Sequence, residues 1–123
     1  MLYEPTTLAS VARLIGDCLD GDYGIDADPL FAELDIDRSG FVKPGSRVSF
    51  AKMNELWSKA TAVTNDPWFG FAVGEMARPS DFFVLGHAWL ASATLKGALR
   101  RLCRYGHVLT TQGSTLKLLE QGD

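Results

Sequence analysis

Residues 35–40 read DIDRSG, and Asp35, Asp37 and Ser39 offer side-chain oxygens at the alternating positions from which a calcium-binding loop takes its first ligands. Gly40 stands where that loop makes its sharp turn. The second half of the pattern fails. Ser46 occupies the place of the closing bidentate Glu, the cation Lys43 takes another ligand position, and Pro44 and Gly45 stand where the exiting helix should begin. A six-oxygen site cannot be completed locally. The segment therefore reads as a polar turn between two helices, with Asp, Ser and Gly selected for turn chemistry, and no metal is expected.

A second group of residues suits recognition rather than catalysis. Lys96, Arg100, Arg101 and Arg104 form a basic stripe, and a guanidinium matches a carboxylate or phosphate in shape and charge. The same stripe also reads as a solvated helix face. Trp89 and Tyr105 lie close in sequence, and Trp57, Trp68 and Phe82 add aromatic surface that could line a pocket or simply fill a core. His87 reads either as a satisfied core histidine or as a ligand contact. If a metabolite binds, it should be small and carry a carboxylate held by Arg100, Arg101 or Arg104 against Trp89 or Tyr105. His87 and His107, the two histidines, fit no nucleophile, metal or acid–base motif, and GSTLK lacks the spacing of a phosphate-cradling loop. Neither an enzyme nor a cofactor is expected.

These groups must be positioned by helices. Leu8, Val11, Ala12, Ile15 and Leu19 recur at helical spacing, predicting an amphipathic helix over Thr7–Leu19 capped by Thr6 or Thr7. Asp28 followed by Pro29 predicts a short helix through Leu34. Ser49 predicts the cap of a helix over Phe50–Val63, and Asp66 with Pro67 starts a short apolar one that Gly74 ends. Asp81 to Ala91, capped by Ser80, is apolar all round and should be buried on most sides, with Gly86 marking close backbone packing. Thr94 caps a last helix with Leu95, Ala98, Leu99, Leu102 and Cys103 on one face. Thr115–Leu119 reads as a strand with no partner after it.

The fold class is thus mainly α, with five to six short helices packed as one domain and a terminal β-strand. The 123 residues, 46% apolar, can bury a core. Net charge is -3 overall. It is uneven, since residues 1–40 hold nine acids against Arg13 and Arg38, and this chain lacks the positive excess of a nucleic-acid binder. Cys18 and Cys103 fall on apolar helix faces and read as reduced thiols. The longest uncharged stretch, Phe82–Leu95, is too short and too polar for a bilayer, and the N-terminus has no secretory pattern, so a cytoplasmic location is expected.

Read together, RVSFAKMNELW and NDPWFGFAVGEMARPSDFFVLGHAWLASATLKGALRRLCRYGHVLT resemble the N-terminal sensor domain of AraC/XylS-family transcriptional regulators, in the branch typified by ornithine-utilisation regulators. The resemblance rests on Arg47-Val48, on Leu56-Trp57, on Thr64 with Asp66, Pro67 and Gly70, on Gly86 with Ser92, Thr94 and Leu95, and on Ala98 to Tyr105. It runs from about Leu8 to the C-terminus. It implies an effector-sensing domain for a small metabolite such as an amino acid or organic acid. A C-terminal double helix-turn-helix DNA reader, absent from residues 1–123, would be under its control. It also implies that the strand belongs to a truncated α+β sensor and that DIDRSG is a connector. An unpaired strand edge and uncovered helix faces further predict a homo-oligomer.

Overall fold

The computed structural model describes residues 5–42, 45–105 and 119, with side chains at all of these except 42, 83–85 and 105. The expected strand over Thr115–Leu119 lies outside the described residues but for its last position.

The expected helix over Thr7–Leu19 starts later. Thr6–Leu8 is a short strand, β1, and pairs antiparallel with β2, Arg47–Ser49, placing Thr7 opposite Val48. Two-strand pairing between three-residue segments leaves no periodicity to read. The ribbon also replaces the expected side-chain caps. Helix α1, Ala9–Gly21, has Leu8 at its N-cap with no side-chain cap, and Ala9 N–H instead donates to the Ser46 carbonyl at 2.7 Å. Ser49 likewise makes no cap bond for α3, Phe50–Thr64, because Phe50 N–H donates to the Pro5 carbonyl at 2.9 Å. Backbone carbonyls from the ribbon satisfy donors that a helix start would otherwise leave orphaned.

The inner face of α1 carries Ala12, Ile15, Cys18 and Leu19, all sealed from solvent. Past its end, Ala27 N–H donates to Asp20 and Asp28 N–H to Asp26, so α2, Asp28–Glu33, is launched by two upstream carboxylates rather than by Asp28 itself. Helix α2 delivers Phe31 to the core. The DIDRSG segment is a connector, as the resemblance implies. Asp37 accepts from Ser39 N–H and Oγ at 2.9 and 2.6 Å, and Arg38–Val42 forms a 3-10 turn. Arg38 lies 5.0 Å from the centre of the Phe31 ring and donates to Asp20 at 3.0 Å and Asp28 at 2.7 Å. Gly16 makes room for this arginine, since a Cβ there would stand 2.8 Å from its Nη2.

Helix α3 contributes Met53, Leu56 and Ala60 and ends at Asn65, whose φ of 51° is left-handed. Asp66 then accepts from Trp68 N–H at 2.8 Å, holding an Asp-Pro turn ahead of α4, Phe69–Met76. Gly74 lies within α4 rather than ending it. Phe69 is fully buried between Tyr23 and Trp57, with ring centres at 5.5 and 6.0 Å. A 3-10 segment over Pro79–Phe82 leads into α5, Phe83–Leu90, and α6 spans Leu95–Tyr105. The expected helix from Asp81 is therefore shorter by one turn of tighter winding. It is not buried all round either: His87 is exposed and Leu90 is 65% exposed.

Candidate ligand-binding site

The segment between α4 and α5 is fixed by a buried carboxylate. Asp81, only 3% exposed, accepts from the Arg13 guanidinium of α1 and, at 2.7 Å, from Arg78 N–H. Ser10, also on α1, donates to the Asp81 carbonyl. The buried charge is thus paired and hydrogen-bonded, the condition under which a carboxylate tolerates burial. Helix α5 lies directly on this segment. A Cβ at Gly86 would fall 1.5 Å from the Pro79 carbonyl oxygen, so only glycine permits the approach.

That approach frames a cleft of about 440 Å³ lined by Gly74, Ala77, Arg78, Pro79, Phe82, Gly86, Trp89 and Leu102. Its walls come from the end of α4, the 3-10 segment, α5 and α6. Size and lining suit a small metabolite: mostly apolar surface with one guanidinium. A second cleft, about 490 Å³, borders β2 and the DIDRSG turn, with Asp35, Asp37, Arg47 and Lys52 among its lining residues. Its polar groups are engaged with one another, for Lys52 donates to the Asp35 carbonyl at 3.0 Å and Asp37 holds Ser39. Among the described residues no group of three or more His, Cys, Asp or Glu could hold a metal ion.

Of the residues expected from the sequence, Trp89 lines the apolar cleft. Arg101 is exposed and turns back onto α5, donating to the Ala88 carbonyl at 2.9 Å and to Ser92 Oγ at 3.1 Å. Arg100 and Arg104 are exposed on α6. His87 is exposed rather than a core histidine, and the Tyr105 side chain lies outside the described residues. Thr94 caps α6 as expected, accepting from Gly97 N–H at 3.0 Å. Trp57 went to the core, Trp68 stacks with Phe71 on the surface, and Phe82 joined Trp89 in the cleft. Arg78 was missed. Its signal is the ARPS stretch, an arginine in a turn between two apolar helices.

Electrostatics outside the cleft serve the fold. Burial, reinforced by Asp22, pushes the Cys18 thiol up to about 11. The hydrogen bond from Tyr23 Oη to Asp66 at 2.6 Å pushes the Tyr23 phenol up to about 12 and holds the Asp66 carboxyl below its usual range. Among the described residues neither cleft is lined by a histidine or a cysteine.

Residues 24–123 match the family model described as the arabinose-binding domain of AraC transcription regulator, N-term. The match contains the whole cleft. The chain is also 31% identical over 91 residues to the ornithine utilization regulator of Pseudomonas aeruginosa, an alignment covering 74% of this chain and 27% of that relative. This chain therefore spans about a quarter of the relative it matches. The family is a binding domain of transcription regulators and not an enzyme family. With most of its length inside the match, the chain belongs to the family of N-terminal arabinose-binding domains of AraC transcription regulators.

Proposed function

We propose that this chain is part of the effector-sensing domain of a bacterial AraC-type regulator, taking up a small amino acid or organic acid in the cytoplasm. The family match over residues 24–123 carries the reading, and the apolar cleft inside it supplies a site of the right size. DNA contact falls to a helix-turn-helix reader outside these residues, in keeping with the chain's net charge of -3. The effector packs against Trp89 and Phe82, between the segment that α1 holds and the α5–α6 pair. Occupancy would therefore bear on how that pair sits against α1–α4.

The test is calorimetric titration of the full-length regulator with a panel of amino acids and organic acids, L-ornithine included because of the relative's name. Saturable binding at about micromolar Kd, coupled to a change in operator affinity, is the expected result. A panel that leaves both unchanged would overturn the reading.

A second reading, self-association of the same domain, is favoured by one observation. Trp68 and Phe71 are 66% and 69% exposed and stacked at 5.5 Å, an aromatic pair left on the surface. Sedimentation of the full-length protein is expected to show a dimer. A monomer at high micromolar concentration would sink this reading alone.

A further inference from the structure

We propose that Arg78, and not the arginine stripe of α6, anchors the carboxylate of the effector, which makes the apolar cleft a site for small monocarboxylates with an apolar body. This rests on the effector-sensing reading above. The cationic side chains around the fold are largely committed elsewhere. Arg13 is bound to Asp81, Arg38 to Asp20 and Asp28, Lys59 to Glu33, and Arg101 to Ala88 and Ser92. Arg78 differs. Its backbone N–H is held by Asp81, yet its guanidinium makes no hydrogen bond or ion pair among the described residues, and it lines the cleft.

The base of the side chain is fixed on both sides, by the bond to Asp81 and by the rigid ring of Pro79. With its base fixed, only the side-chain rotors remain to be ordered on meeting a ligand, and the planar fork can then grip a carboxylate with two parallel bonds. Arg78 is exposed, and beside it Phe82, Trp89 and Leu102 offer apolar walls on which the body of a ligand would pack, shielding a charge-assisted pair from open solvent.

The charge balance narrows the ligand class. Among the described residues the lining holds one cation, Arg78, and no carboxylate, since Asp81 has its charge already matched by Arg13. One guanidinium suits a monoanion. A phosphate ester would call for further donors, and the side-chain ammonium of a diamino acid would find no acid among the lining residues. What fits is a carboxylate whose remainder is aliphatic or aromatic, within about 440 Å³.

Hexanoate, phenylacetate and 3-phenylpropionate, each beside its neutral amide, serve as probes in calorimetry on the full-length protein. At least one acid is expected to bind, with its amide about 100-fold weaker. Arg78→Met should weaken that acid about 100-fold, and Arg78→Lys, which keeps the charge and loses the fork, about tenfold. Arg100→Met and Arg104→Met should change it by less than about twofold. Urea melts of the Arg78 variants matching the unsubstituted protein separate lost binding from lost folding. Equal binding of acid and amide, or unaltered binding in Arg78→Met, overturns this inference and leaves the sensing reading intact. The inference also fails if amino acids bind while none of the three acids does. If nothing in either panel binds the unsubstituted protein, the sensing reading falls first.

Discussion

Helices α1 to α4 share an interior in which Ile15, Leu19, Phe31, Leu56 and Phe69 are sealed from water. Helices α5 and α6 meet each other and rest on Pro79–Phe82, and Ala98 is the buried apolar side chain that α6 brings. Among the described residues apolar burial is concentrated in the first region, and the second is tied to it by a polar clasp, Arg13 and Ser10 holding Asp81. Regions with few buried apolar contacts open at lower free energy than a core, and ligand-responsive elements are drawn from that end of the scale. A ligand bound beside the clasp needs only modest differential affinity to shift α5 and α6. Of α1 to α4, it is the end of α4, at Gly74, that borders the cleft.

The comparison breaks first on core truncation. Phe69→Ala should cost about 3–5 kcal/mol in urea unfolding, against about 1 kcal/mol for Leu99→Ala on the half-buried face of α6. Equal losses would mean that the two regions share one core. Next in size is the clasp. Asp81→Ala should cost about 1–3 kcal/mol, because the half-exposed Arg13 can rehydrate once its partner is gone. Amide exchange should speed up in α5 and α6 and stay slow in α1. Uniform acceleration would show that the clasp supports the whole fold.

Two chemical probes sharpen the contrast with smaller effects. Cys18 is buried in the first region with its thiol raised to about 11, while Cys103 is half-buried in the second. Ellman's reagent at pH 8 should therefore label Cys103 at least about tenfold faster, because the thiolate is the nucleophile. Faster labelling of Cys18 would reverse the assignment of the tight region. The last probe is Tyr23. Its raised phenol contributes stability that is complete below the ordinary tyrosine value of about 10 and lost as pH rises through about 12. The lowered Asp66 carboxyl contributes stability that is present above about 3.9 and lost as pH falls through its folded value. Absorbance titration should show one late tyrosine that Asp66→Asn brings back toward the ordinary range. A spectrum indifferent to that change would remove the pair.

The helices were legible where apolar residues recurred at helical spacing, although at α1 and α3 the expected side-chain caps are not the ones used. The cap of α6 at Thr94 and the close approach at Gly86 follow from residue type alone, since a threonine oxygen suits an orphan N–H and glycine suits contact with a carbonyl. The ribbon was not legible. Thr6–Leu8 continues the apolar spacing of α1, and nothing local tells a reader that Arg47–Ser49 lies alongside. The all-apolar look of α5 misled for a related reason: a uniform helix has no face that declares itself exposed, and so His87 was read as a core histidine or a ligand contact rather than as a surface residue. Trp89 lines the cleft, one of the two places, pocket or core, that an aromatic in an apolar helix leaves open. Arg78 was overlooked because a stripe of four cations on α6 outweighs a single one in a turn, although a stripe is what solvent favours.

The ribbon carries a consequence for the order of folding. Its strands lie far apart along the chain, with Arg47 Nε donating to Thr6 Oγ1 across 41 residues. Closing so long a loop costs chain entropy that three residue pairs cannot recover by themselves. Helix α1 and the turn that leads from it into α2 form from local contacts, Ile25 N–H donating to the Leu19 carbonyl and Ala27 N–H to Asp20, so they can assemble first and shorten the effective search. The ribbon then closes late, like a clasp on a filled case, and its carbonyls reach Ala9 and Phe50 only once α1 and α3 already lie side by side. The starts of α1 and α3, which have no side-chain cap, are therefore the last to be secured, and fraying there would be the first step of unfolding.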